Sequence, residues 1–257
     1  MHFMSFLIVG LLCFVSNSLM AQEHYKEYFE TKPCWGDEFN YTGLPDATKW
    51  RIDVAQNPKK RKTFYIADAR NVYVRDGNLR LKIRKSAGKF TSGRIQSKNI
   101  QVSLGRLDIR VKCPVTNGVW PALYLRGVER KPYFGEMDIM EYWGIYNAMF
   151  FQSNMHVWGN FSGKFHNHVM HPKKIRCDMT KYHVYSFLNF KDSIVILLDE
   201  KPVYLLNKKD EPLWPFDRAS DIILALAYIG ETDDDDKLPQ TMYIDWVRYY
   251  RLKGTND

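Results

Sequence analysis

Three carboxylates fall within six residues of the segment Gly135-Glu-Met-Asp-Ile-Met-Glu-Tyr-Trp-Gly144, with apolar residues between them. In a β-strand, residues two apart share a face, so Glu136 and Asp138 point one way while Met137 and Ile139 point into an apolar layer. Strict alternation would send Glu141 after the methionines, and an apolar layer does not accept an unpaired carboxylate. A β-bulge at Ile139-Met140 adds one residue and returns Glu141 to the face of the other two acids. The outer pair is then about four strand steps apart, roughly 13 Å between Cα atoms. Two glutamate side chains leaning together close that to the ~5–5.5 Å of carboxylates that cleave a glycosidic bond with retention, rather than the ~6.5–9.5 Å of an inverting pair. Three acids so close cannot all ionise at neutral pH, which leaves one protonated to act as general acid.

An acidic strand face neutralised by arginines or solvent is the competing account. The neighbouring segments decide against it. Trp120, Ala122 and Tyr124 share one strand face, Gln152, Asn154, His156 and Trp158 share another, and Trp143 continues the face of Glu141. Aromatic platforms and hydrogen-bonding groups around paired acids suit a sugar-binding cleft, since sugar rings stack by their C–H faces and present hydroxyls at their edges. Trp120, Tyr124, Trp143, Asn154, His156 and Trp158 are therefore the expected substrate contacts. Arg126, Arg130 and Lys131 lie between the two cleft strands and are candidate contacts for an acidic glycan. Histidines 166, 168 and 171 have ligand-like spacing, but a mobile loop with no nearby acid accounts for them better.

The elements that must hold these residues read as short strands rich in Val, Ile, Tyr and Phe, from Thr63–Ala67 to Met242–Tyr250. Asp76-Gly77, Ala87-Gly88 and Asn117-Gly118 mark turns between them. No amphipathic helix, repeat or composition shift interrupts the series, so the expected fold is all-β, an antiparallel sandwich in one domain over residues 22–257. Asp233–Asp236 is read as a solvated loop rather than a calcium site, and Lys59–Lys62 as a solvated basic face.

The chain has 257 residues, 45% hydrophobic and 26% charged, with a net charge of +8, which excludes disorder and a coiled coil and admits an anionic partner. Phe6–Val15 is an apolar run followed by Ser-Asn-Ser and Ala21, the layout of a signal peptide over residues 1–21 with cleavage after Ala21. The run is too short to span a bilayer. Lipidation at Cys13 is the alternative, disfavoured by the bulk of Leu11 and Leu12. The expected location is the secreted, periplasmic or cell-surface space, which leaves nucleic acid with little call on the chain. Cys34, Cys113 and Cys177 permit at most one disulfide.

On these residues the chain resembles glycoside hydrolase family 16, retaining endo-β-glycanases on a concanavalin-like β-jelly roll. GEMDIMEYWG at 135–144 is similar to the family's E-x-D-x-x-E strand and GVWPALYLRG at 118–127 to its G-x-W-P-A segment. Asp37–Asn40, Asn71–Leu79, Thr91–Ile95, Tyr182–Tyr185 and Tyr243–Tyr250 add matches in family order. The resemblance implies Glu136 as nucleophile, Glu141 as general acid/base and Asp138 as the residue tuning both. It implies a polysaccharide substrate with internal β-1,3 or β-1,4 bonds, a glucan or galactan, and a monomer needing no cofactor. A structural calcium at Glu38, the Gly77 carbonyl and Asp245 is a further implication. Met140 resembles the bulged branch of laminarinases, agarases, porphyranases and carrageenases. Tyr124, where laminarinases usually carry Trp, and Leu224–Glu231, in place of their Asn- and Gly-rich strand, depart from the pattern. A binding protein without catalysis and a transglycosylase are the alternatives on the same fold.

Overall fold

The computed structural model describes residues 25–56, 63–144, 149–159, 167–229 and 235–255. The signal segment, the basic cluster at 59–62, His166, Asp233 and Asp234 lie outside them. In chain order the strands are β1 (Trp35–Asp37), β2 (Trp50–Ile52), β3 (Ala55–Gln56), β4 (Thr63–Tyr65), β5 (Val72–Arg75), β6 (Asn78–Ser86), β7 (Lys89–Ser92), β8 (Arg94–Ser97) and β9 (Gly105–Lys112). They continue as β10 (Val119–Gly127), β11 (Tyr133–Glu141), β12 (Phe150–Gly159), β13 (Asn167–Arg176), β14 (His183–Asn189), β15 (Ser193–Leu198), β16 (Lys201–Asn207), β17 (Ser220–Tyr228) and β18 (Gln240–Arg251).

Two sheets form from them. The site sheet runs β13-β12-β11-β10-β17-β8-β2, and the opposing sheet runs β16-β15-β14-β9-β18-β6-β7-β4-β3 with β1 and β5 added on β18 and β6. Every pairing is antiparallel except β4 with β7. Sequence-adjacent strands pair through tight turns whose residues the backbone requires: Asp76 (φ 51) and Gly77 (φ 68) close β5 onto β6, with two consecutive positive φ values as in the turns that suit strand twist.

The core lies between the sheets. Leu79, Leu81 and Ile83 of β6 and Ile109 and Val111 of β9 meet Leu123, Leu125, Met137, Met155, Leu224 and Leu226 of the site sheet, all essentially fully buried. Each of these strands alternates inward and outward, so one face of the site sheet builds the core and the other is left to line a cleft.

The expected bulge is present. Across β11 and β12, Asp138 faces Asn154 and Glu141 faces Gln152, so Ile139 and Met140 share the single partner Ser153. Toward β10, Met140 faces Leu123 and Asp138 faces Tyr124, which leaves Ile139 unmatched. Both side chains of the bulge are buried in the core. The fully buried Ser153 hydroxyl donates to the Ile139 carbonyl at 2.7 Å. Removing it leaves a buried carbonyl without that donor, so Ser153→Ala is expected to lower stability by about 1–3 kcal/mol, read as a fall of several degrees in Tm by calorimetry.

Candidate active site

The site sheet presents three cross-strand rows across its open face. Tyr124, Asp138 and Asn154 form the middle row, Ala122, Glu141 and Gln152 lie on one side, and Arg126, Glu136 and His156 lie on the other. The three predicted acids thus share one face.

Glu141 is the most buried glutamate of the three acids, nine-tenths hidden, and accepts a hydrogen bond from Trp120 Nε1 at 3.0 Å. Burial, then the negative charge of Asp138, push its pKa up to about 8. It is protonated at neutral pH, as a general acid must be. Asp138 is held from the other side. His156 Nε2 lies 2.7 Å from Asp138 Oδ2, and His156 Nδ1 lies 2.6 Å from His168 Nε2. Burial lowers the pKa of both histidines. Neutral rings satisfy both contacts when His168 Nε2–H donates to His156 and His156 Nε2–H donates to Asp138, a relay that fixes the carboxylate. Glu136 forms an ion pair with Arg126, Nε to Oε2 at 3.2 Å.

The aromatic walls are where the spacing places them. Trp120 and Trp143 pack with ring centroids 4.2 Å apart. Trp120, Ala122 and Tyr124 join Tyr65, Ile223, Ala225 and Ala227 in an apolar floor. The small side chains of Ala225 and Ala227 occupy the segment that departs from the laminarinase pattern, and they leave the floor low. Asn154 Oδ1 and Trp158 Nε1 are buried without a hydrogen-bond partner among the described residues.

One expectation is corrected. His168 and His171 lie on strand β13 rather than in a mobile loop, and both have carboxylate links: His168 reaches Asp138 through His156, and His171 Nε2 lies 3.0 Å from Glu211. His168 also stacks on Trp158, with centroids 3.5 Å apart and planes within 6°. Phe134 was not singled out in the sequence, although its place two residues before Glu136 puts it on the same face. Asp235, from the acidic run, is tied down by Lys85 at 2.9 Å and by the Tyr228 hydroxyl. Cys34, Cys113 and Cys177 form no disulfide with one another.

The proposed calcium ligands meet other partners. Arg248 grips Glu38 through two hydrogen bonds of 2.8 Å, and Arg110 pairs with Asp245. Calcium needs six to eight oxygens, with carboxylates supplying the charge. Here both carboxylates already carry a guanidinium, so these residues do not fit the ion. Glu136, Asp138 and His156 bring ligand-type atoms within 4.8 Å of one another, but the hydrogen bond between Asp138 and His156 occupies the atoms that a metal would take.

A two-sheet sandwich with paired carboxylates on an aromatic-lined open face belongs to the glycosidic-bond-cleaving enzymes. Residues 59–248 match glycosyl hydrolases family 16, and the chain belongs to that family, as a glycosyl hydrolase of endo-glycanase type. A β-glucanase of Rhodothermus marinus is 28% identical over 247 residues, covering 84% of each chain. A keratan-sulfate endo-1,4-β-galactosidase of Sphingobacterium multivorum is 25% identical over 237 residues, 85% of this chain and 54% of that one. Among solved structures, an endo-acting O-glycanase of the human gut microbiota that initiates mucin breakdown superposes with a TM-score of 0.76 at 26% identity, over 88% of this chain and 92% of its own.

The folded chain keeps a proton on Glu141 that the unfolded chain releases near 4.5. Between about 4.5 and 8 the folded state therefore binds more protons, and stability falls as pH rises through that window. Denaturant midpoints of the wild type should decline from about pH 5 to 8, whereas Glu141→Gln, which mimics the neutral acid, should flatten the decline.

Proposed function

We propose that the protein is an exported, retaining endo-hydrolase of internal β-1,3 or β-1,4 bonds in a β-glucan or β-galactan. The observation that carries this reading is the contrast in surroundings of two carboxylates on one strand face: Glu141 buried and protonated, Glu136 partly exposed and paired with a guanidinium. Glu136 attacks the anomeric carbon while Glu141 gives its proton to the departing glycosidic oxygen. The products are a glycosyl ester on Glu136 and a shortened chain. Glu141, now a carboxylate, takes a proton from water as that water attacks the same carbon, and Glu136 leaves. Asp138, fixed by His156, supplies the charge that raises Glu141 and orients the pair.

The apolar run Phe6–Val15 supports export. Among the described residues no helix is long and apolar enough to cross a membrane. The relatives, named as a β-glucanase and as a keratan-sulfate endo-1,4-β-galactosidase, support a reading on β-glucosidic or β-galactosidic bonds.

A panel of laminarin, mixed-linkage glucan and keratan sulfate, read for shorter reducing fragments, tests the reading. Glu136→Gln is expected to lose several orders of magnitude in kcat while still binding the cleaved polymer. Proton NMR of the first products should show the β-anomer; an α-anomer would reject a retaining mechanism. Turnover should fall as pH rises through about 8, where Glu141 loses its proton. We also propose that the fold needs no calcium, because Arg248 and Arg110 balance Glu38 and Asp245. EDTA should leave Tm unmoved, and a drop reversed by added calcium would contradict this.

A further inference from the structure

Two arginines converge beside Glu136, and the nearby acids neutralise them incompletely. Arg126 and Arg130 place their guanidinium carbons 5.7 and 4.6 Å from the centroid of the same ring, Phe134. Phe134 shares the open face with Glu136 and stands opposite Trp158, which stands opposite His168. The row is an aromatic shelf ending in cationic groups, immediately outside the row of the attacking carboxylate.

Other charges at this end of the cleft are already satisfied. Asp221 is the cross-strand partner of Arg126 on β17, yet Gln96 Nε2 donates to its Oδ2 at 2.5 Å. Arg51 and Arg94 share Asp53, at 3.1 and 3.0 Å. Among the described residues Arg126 forms an ion pair with Glu136 alone, and the Arg126 Nε makes no well-aligned hydrogen bond there. Arg130 is exposed and, among the described residues, forms no ion pair; it lies on Phe134. Partial burial, and then the positive charge of Arg126, lower the Arg130 pKa; the charges of Glu136 and Asp221 act the other way without reversing the shift.

We propose that Arg126 and Arg130 form a subsite for an anionic substituent, a sulfate ester or a carboxylate, on the sugar unit bound over the Phe134 and Trp158 shelf. The location rests on the hydrolase reading, because it is Glu136 that defines where the bond breaks. Catalysis itself strengthens the subsite. When Glu136 becomes a glycosyl ester it loses its charge, so Arg126 loses its counter-ion at that moment. An anionic substituent supplies the replacement in the covalent intermediate and its flanking transition states, where added stabilisation raises kcat. Guanidinium forks match sulfate and carboxylate oxygens, and a charge-assisted contact of this kind is strong enough to discriminate. Lys131 is exposed and is not gathered onto Phe134.

The test separates binding from cleavage. Glu141→Gln protein is titrated by calorimetry with keratan sulfate and the same polymer after desulfation, and with a β-linked uronate glycan and its carboxyl-reduced form. Tighter binding of the charged member in the sulfate arm or the carboxylate arm identifies the substituent. Equal binding within both pairs overturns the subsite. Adding Arg130→Gln should lower the charged-to-neutral affinity ratio by roughly tenfold or more, while Lys209→Gln, on the 3-10 turn after β16, should leave it at its original value. An unchanged ratio in Arg130→Gln also overturns the proposal. Selective binding by the Glu141→Gln protein alongside a wild type that cleaves nothing would keep the subsite and remove the hydrolase reading.

Discussion

The site depends on one departure from strand periodicity. Without the bulge at Ile139 and Met140, the side chain of Glu141 would enter the core between the two sheets, and Met140 would stand in the cleft. The extra residue exchanges them: two apolar side chains go inward in succession, and a glutamate comes out beside Asp138. Such a backbone break strands a carbonyl, and the sequence answers with Ser153, a buried hydroxyl opposite the bulge. Core packing and catalytic geometry are therefore set by the same two residues. Burial of Glu141 follows from this placement, because a bulged strand in mid-sheet holds the side chain against Trp120 and the apolar floor.

Electrostatics then divides the labour among chemically similar groups. Glu141 has an apolar wall and a negative neighbour, both of which favour its proton. Glu136 has an arginine. Asp138 stands between them and is held in place by two neutral histidines, so its charge bears on Glu141 from a fixed position. The outer member of that relay, His168, is locked by stacking on Trp158, which couples the aromatic shelf to the row of acids. A ligand pressing on Trp158 bears on its stacking partner His168, which is two hydrogen bonds from Asp138.

Most of this was legible in the sequence for a physical reason. Central strands buried on one face and functional on the other keep strict alternation, so β10, β11 and β12 could be read residue by residue, and the bulge was the one arrangement that avoided a buried carboxylate. Legibility failed at the edges. Strand β13 reads Asn-His-Val-Met-His-Pro-Lys-Lys-Ile-Arg, without apolar alternation, because an edge strand need bury little. Its histidines therefore looked like loop residues, and the relay to Asp138 could not be seen. The short strands β1, β2 and β8 escaped for the related reason that three or four residues carry too little pattern. The ion pairs of Glu38 and Asp245 were invisible for another cause: Arg248 and Arg110 are far away in sequence, and only the pairing of β18 with β1 and β9 brings them close.

The net positive charge takes on meaning only after the fold is known. Many of the chain's cations are spent locally, on Asp53, Asp68, Asp76 and Glu38 at the surface, where solvent screens them, and on the buried Asp108. Long-range attraction of an acidic polymer would be a property of the whole surface and would vanish with salt. What distinguishes the cleft is a placement that sequence charge cannot express: two guanidiniums on one aromatic ring, one paired with Glu136 and the other with no acid among the described residues. A neutral glycan would find the same acids, the same shelf and the same floor, and would leave Arg130 facing solvent. The difference between a neutral and an acidic substrate thus reduces to whether that cation has a partner in the complex.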